Sequence, residues 1–149
     1  MMNSEEASSL YTSQKINNKY IVSVKNHTEI VRALTVFCET QHVKAGTITG
    51  IGAISKATLR FFNPVSKHYV DKTFSEQMEI ANVSGNISEM NNQVYLHLHA
   101  TLGRSDYSAL AGHLMAAELN GAGEFVIEVF DATIERYFDE AIGLNLYQF

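Results

Sequence analysis

His97-Leu98-His99, followed by His113 in Ala111-Gly112-His113-Leu114, are the residues of this chain best suited to chemistry. Two imidazoles separated by one residue in an alternating stretch project from the same face of a β-strand, where both can reach one ion. With His113 the set is three neutral nitrogen donors, the ligand number of an open zinc site whose fourth position goes to water or to an atom of a substrate. Imidazole also suits nickel, copper and iron, so the pattern implies a divalent metal, with zinc the first choice.

The elements that must hold these rings can be read from the alternation around them. Val94, Leu96, Leu98, Ala100 and Leu102 fall on one face of the histidine strand and mark its core side. Tyr95, His97, His99 and Thr101 fall on the other, where every side chain can hydrogen bond or ligate. Asn91-Asn92 precedes this strand as a hairpin turn, because asparagine tolerates positive φ, and the strand at 77–87 is its partner. Other strands read at Tyr20–Lys25, at Thr47–Ala53 and at Ser55–Phe62, the last stopping at Asn63-Pro64, with a short one at 67–70. Gly50 and Gly52 mark a bulge. One amphipathic helix is expected at about 28–43 from Ile30, Leu34, Phe37 and Cys38. Asn26 is its expected N-cap, Glu29 completes a capping box and Gly46 ends it. Glu79 on the partner strand is open to three roles, fourth ligand, orienting carboxylate or, the favoured one, plain surface residue, while Asp106 or Glu118 near the third histidine could orient an imidazole by accepting its other N–H. His27, His42 and His68 are isolated and read as surface or cap residues.

Bulk properties narrow the function classes. A chain of 149 residues, 46% hydrophobic and 18% charged, has the balance of one globular domain. We expect a flexible polar arm over 1–19, docking locally through Leu10 and Tyr11, and a single domain over 20–149. A formal charge of -5 with singly scattered lysines and arginines is poorly suited to neutralising phosphates on DNA or a membrane surface. Cys38 is the only cysteine, which excludes an intrachain disulfide and cysteine-based zinc motifs and fits a reducing compartment. The start is polar and acidic, unlike a signal peptide, and no stretch approaches the roughly 18 apolar residues of a membrane span, so a soluble cytoplasmic protein is expected. Neither a dinucleotide fingerprint, a phosphate loop nor a nucleophile elbow is present. The apolar end, Ile142 to Phe149, is either a final strand on its own domain or a surface for a symmetric neighbour.

Taken together, Gly50-Ile51-Gly52-Ala53-Ile54 with Ala57 to Phe62, Glu79 to Ile87, His97-Leu98-His99-Ala100-Thr101-Leu102-Gly103 and Gly112-His113-Leu114 resemble the plant and prokaryote conserved domain. This family is also known as a domain of unknown function and as DNA-binding proteins with a PD1-like motif, and the likeness spans roughly residues 18 to 140. It implies an α+β fold, a strongly bent antiparallel sheet with one main helix packed on it, assembled as a homotrimer with sites near subunit boundaries. It also maps a three-histidine metal pattern onto His97, His99 and His113. Plant relatives touch DNA through an AT-hook, an Arg-Gly-Arg-Pro segment that this chain lacks, and Ala111 stands where the family often has glycine.

Two functions follow. One is a trimeric metal-binding module, DNA-associated or regulatory, with a protein or small-molecule partner, DNA being a possible partner that the acidic charge and the missing AT-hook do not support. The other is a zinc-dependent enzyme of hydrolase type, in which the metal lowers the pKa of its water to about 7 and Glu79 or Asp106 shuttles protons.

Overall fold

The computed structural model describes Ala7 and residues 9–149. Nine strands succeed one another: β1 Tyr11–Ile16, β2 Lys19–Val24, β3 Gly46–Asn63, β4 His68–Phe74, β5 Met78–Met90, β6 Gln93–Gly103, β7 Ala109–Val129, β8 Glu135–Asp139 and β9 Leu144–Gln148. The helix α1, Ile30–Thr40, lies between β2 and β3. Strands make up 65% of the chain and helix 10%, which corrects the expected α+β class: this is a β fold carrying a short helix. The sheet is also mixed rather than purely antiparallel, because β8 meets β5 in parallel at Glu89 and Glu135.

The helix is shorter than its hydrophobic periodicity because both ends are stopped by specific groups. Glu29 is the N-cap, in place of the expected Asn26; its carboxylate accepts from the backbone N–H of Val31 at 3.0 Å, of Arg32 at 2.7 Å and of Ala117 on β7 at 2.9 Å. Asn26 instead accepts from the N–H of His27 and Gly121, closing the turn before the helix. At the other end His42, in the left-handed region at φ 55°, takes the place expected for Gly46. The N–H of Val43 donates to Cys38 and that of His42 to Glu39, which satisfies the last carbonyls in a Schellman motif.

Of the arm expected over 1–19, with its local docking through Leu10 and Tyr11, the structure describes Ala7 and residues 9–19. Residues 1–6 and 8 lie outside the described residues, but from Tyr11 onward the chain is β1, paired antiparallel with β2 from Tyr11↔Val24 to Ile16↔Lys19. Tyr11 is buried against the edge of Phe37, which makes this stretch part of the core.

Strand pairing rolls the sheet on itself. β3 pairs with β5 on one side and β7 on the other, while β6 pairs with both β5 and β7, so β3, β5, β6 and β7 close a ring. Closure removes the edges that an open sheet of this length would expose. The two expected strands at Thr47–Ala53 and Ser55–Phe62 are one long strand, β3, bent by register shifts at Gly50/Gly52 and Gly52/Ile54. At Gly50 a Cβ would run into the ring of Phe125, so the bend requires glycine there. Asn91 and Asn92, at φ 54° and 62°, form the hairpin between β5 and β6.

Inside the ring lie Ile54, Ile80, Val83, Leu98, Leu102, Leu114 and Leu119, all buried, and α1 covers them with Ile30, Leu34 and Phe37. Burying each large side chain is worth about 1.5–3 kcal/mol, which fixes which face of every strand turns inward. Alternation then leaves the opposite face of β5, β6 and β7 to the outside.

Candidate metal centre

His97 and His99 stand on the outer face of β6, and β7 brings His113 directly opposite His99. The placement is a hairpin effect: β6 and β7 are joined by a turn at 104–108, closed by the Arg104 N–H donating to the Ser108 carbonyl and the Tyr107 N–H donating to the Arg104 carbonyl. Ring centroids lie 5.2 Å apart for His97 and His99, 5.0 Å for His97 and His113, and 5.5 Å for His99 and His113. One ligand nitrogen from each ring falls within 4.8 Å of the other two. The Nε2 atoms of His97 and His99 are 3.2 Å apart, close to the spacing of about 3.3 Å that a tetrahedral zinc with 2.0–2.1 Å bonds imposes on two nitrogen ligands.

The protonation states suit ligation. Burial, then the charges of His99 and Arg136, hold His97 below the ordinary histidine range. Burial, then His97, His99 and Arg60, push His113 down to about 4 against a smaller upward pull from Asp71. Both rings therefore offer a lone pair at neutral pH, which a metal ion needs and a protonated ring cannot give. The three donors fit a divalent cation on chemistry as well as distance.

Polar side chains extend outward from the three rings along the cross-strand rows. Ser84 lies opposite His99 and Asn86 opposite His97, on β5. Beyond His113 the row continues to Arg60 on β3 and Asp71 on β4. Arg60 grips Asp71 through two hydrogen bonds of 2.6 and 2.8 Å and stacks over Tyr69 at 4.8 Å. Thr47, Thr49, Ser84, Asn86, His97 and His99 line a groove of about 480 Å³ beside the cluster. Gly85, between Ser84 and Asn86, is required here because a Cβ would strike the carbonyl oxygen of His97.

None of the carboxylates considered from the sequence reaches the rings. Glu79 opposes Gly103 at the far end of β6, Asp106 is held by the N–H and hydroxyl of Ser108 in the turn, and Glu118 opposes Lys56. Among the described residues the one group able to hold a metal ion is three histidines with no acidic member. His27 and His42 occupy left-handed turn positions and His68 begins β4, all away from the cluster. Cys38 is buried, and burial followed by the neighbouring Glu39 pushes its thiol up to about 12, so it is an inert core residue.

Sequence reasoning placed Tyr95 on the histidine face but missed Arg60, Asp71 and Arg136 as its surroundings. The outward polar positions of β5 were readable from alternation, but Arg136 carries no local signal. It arrives on β8, which with β9 folds over the outer face of β5 and β6. There its Nε donates to Ser88 at 2.8 Å and its Nη1 to the Asn145 carbonyl at 2.9 Å. Much of the C-terminal apolar segment is thus β9, packed on its own domain, while Phe149 remains almost fully exposed.

A rolled β domain with a three-histidine cluster on its outer wall is the class that fold and site define. The Plants and Prokaryotes Conserved domain model matches residues 11–131. The chain belongs to that family. It is similar to the crystal structure of a candidate DNA-binding protein from Bacteroides thetaiotaomicron, with 62% identity, a TM-score of 0.93 and coverage of 94% of this chain and 98% of that one. It is also similar to a metal-containing protein from Archaeoglobus fulgidus, with 30% identity, a TM-score of 0.82 and coverage of 93% and 96%. A plant- and prokaryote-conserved protein from Pyrococcus horikoshii shares the fold at 23% identity, with a TM-score of 0.81 and coverage of 99% and 97%. No curated protein matches the chain. No helix among the described residues is long and apolar enough to cross a membrane.

Proposed function

We propose that this protein is a metal-binding module whose His97, His99 and His113 hold one divalent cation, zinc in the first instance, with a coordination position left for a ligand from outside the chain. The observation that carries this reading is the meeting of three ligand nitrogens within 4.8 Å, with no fourth protein donor in the group. A purely structural zinc site is closed by four protein ligands, whereas three histidines leave an exchangeable position. The metal-containing relative from Archaeoglobus fulgidus supports the same reading.

The module works as a homotrimer. Exposed Ile21, Ile51 and Val126 on the outer wall supply apolar surface of the kind a symmetric neighbour covers. Its role is regulatory. The Bacteroides relative carries a DNA-binding description, but a net charge of -5 argues that any association with DNA runs through a partner rather than through phosphate contacts of this chain. Elemental analysis of protein purified without a histidine tag tests the centre: one equivalent of zinc per chain is expected, and none in a His99→Ala variant. A wild-type protein without stoichiometric metal overturns the reading. Sedimentation gives the mass of the assembly, and a gel shift at low salt tests direct DNA contact, for which no shift is expected.

A second reading, a zinc-dependent hydrolase-type enzyme, is supported by the open coordination position. When bound, zinc would supply a water of pKa about 7. Glu79 and Asp106, the proton shuttles that this reading needs, stand away from the rings at Gly103 and in the 104–108 turn. For that reason the binding module is preferred.

A further inference from the structure

Arg136 is the most telling side chain outside the three rings. It is only 9% exposed, yet no described carboxylate pairs with it. Arg60 and Arg104, both more exposed, each hold an acidic partner through two hydrogen bonds, Asp71 and Glu76. The Arg136 guanidinium is instead clasped between two aromatic faces, 4.9 Å from the ring centre of Tyr95 and 4.2 Å from that of Tyr147. Its Nε and Nη1 are occupied by Ser88 and the Asn145 carbonyl, and Asn145 is tied to the Tyr95 hydroxyl at 3.2 Å.

A cation withdrawn from water without a counter-charge is costly, and cation–π contacts offset that cost only in part. A fold does not maintain such a group for stability, since an apolar residue of similar size would serve at least as well. Its position gives it another use. Tyr95, on which it stacks, precedes His97 by two residues on the same face of β6. The guanidinium and the three imidazoles therefore share one wall of the molecule. Arg136 also lies on β8, beyond the residues 11–131 that the family model matches.

We propose that Arg136 and the three-histidine centre form one site for a small organic carboxylate, the anion being held jointly by the metal's exchangeable position and by the guanidinium. With Nε and Nη1 engaged by Ser88 and Asn145, Nη2 of this pre-ordered, largely desolvated guanidinium is the donor for a carboxylate oxygen, a charge-assisted hydrogen bond of the stronger kind. Ser84 and Asn86, lining the adjoining groove, offer hydroxyl and amide groups to the remainder of such a ligand. The proposal rests on the metal reading above.

The test is a calorimetric titration of zinc-loaded protein with malonate, with neutral malonamide as control, repeated on cobalt-substituted protein so that the visible spectrum reports a change at the metal. Wild type should bind malonate, shift the cobalt bands and ignore malonamide. Arg136→Gln should keep one equivalent of metal and weaken malonate at least ~10-fold, the loss of one charge-assisted hydrogen bond. Tyr147→Leu, which removes one clasping ring without touching the charge, should weaken it less; it covers the case in which Arg136→Gln does not fold. Unchanged malonate affinity in both variants overturns the proposal, as does zinc-loaded wild type that binds no malonate; in either case stoichiometric zinc leaves the metal centre standing. Inorganic phosphate bound more tightly than malonate overturns the ligand class. Absence of zinc from the wild type overturns both readings together.

Discussion

The two faces of β6 differ in what holds them in place. On the inner face Leu98, Ala100 and Leu102 are buried in the closed ring beneath α1, and each would leave a cavity if truncated. On the outer face Tyr95, His97 and Thr101 are only half-buried and His99 is exposed. Their neighbours are a hydroxyl, an amide, one further imidazole and a guanidinium. The inner face is specified by volume and apolarity, whereas the outer face is specified by chemistry, since nothing in the packing requires histidine at 97 or 99. A strand can be tuned for ligand on one side without disturbing what stabilises it on the other, because the pleat separates the two sets of side chains completely.

This contrast makes graded predictions. The largest effect belongs to the inner face: Leu98→Ala should cost about 2–5 kcal/mol of stability, measured by urea unfolding, through lost burial and an unfilled cavity. A loss below about 1 kcal/mol would mean that the ring is not the core. On the outer face, His99→Ala should abolish metal binding in elemental analysis while leaving the metal-free protein within about 0.5 kcal/mol of wild type by the same unfolding measurement. If the metal-free variant lost as much as Leu98→Ala, the two faces would not be independent.

The pH dependence separates them further. His113 is held at about 4 in the folded protein, below its ordinary value of about 6.5 in the unfolded chain. Between those values the unfolded state binds the extra proton and the folded state does not, so stability is full above about pH 6.5 and falls as pH drops towards 4. His97, lowered in the same direction, adds to the slope. Melting followed against pH on metal-free protein should show that decline, and His113→Asn should flatten it; an unchanged slope would assign the acid sensitivity elsewhere. Metal should be released over the same window, because the protons compete for the ligand nitrogens.

The smallest effect concerns the helix that closes the inner face. Glu29→Ala removes the carboxylate that caps α1 and reaches the Ala117 N–H. It should cost ~1 kcal/mol in unfolding with metal affinity unaltered. A shift in zinc affinity would show that the cap communicates with the outer wall.

Much of this arrangement was legible residue by residue. Strict alternation from Val94 to Leu102 is a local property, and it alone places Leu98 inward and His97 and His99 outward. The Asn91-Asn92 turn was equally local, since positive φ is available to asparagine without help from distant residues. The class of the fold was not, because residues 109–129 mix glycine, alanine and polar side chains and give little strand signal of their own. They are a strand because β3 pairs along most of their length on one side while β2 and β6 pair on the other. The helix ends were misjudged for a related reason, as the group that caps α1 also answers to Ala117 on β7, far away in sequence.

The amino-acid sequence by itself therefore determined the side of β6 on which the imidazoles lie, the shape of the turn before them and the absence of cysteine ligands, all consequences of backbone periodicity and residue type. Only the tertiary structure decided that His99 faces His113, that Glu79, Asp106 and Glu118 stand elsewhere, and that Arg136 comes from the far end of the chain to share their wall. Such meetings depend on strand register and on closure of the sheet. Those are set by the summed burial of the whole core rather than by any one segment.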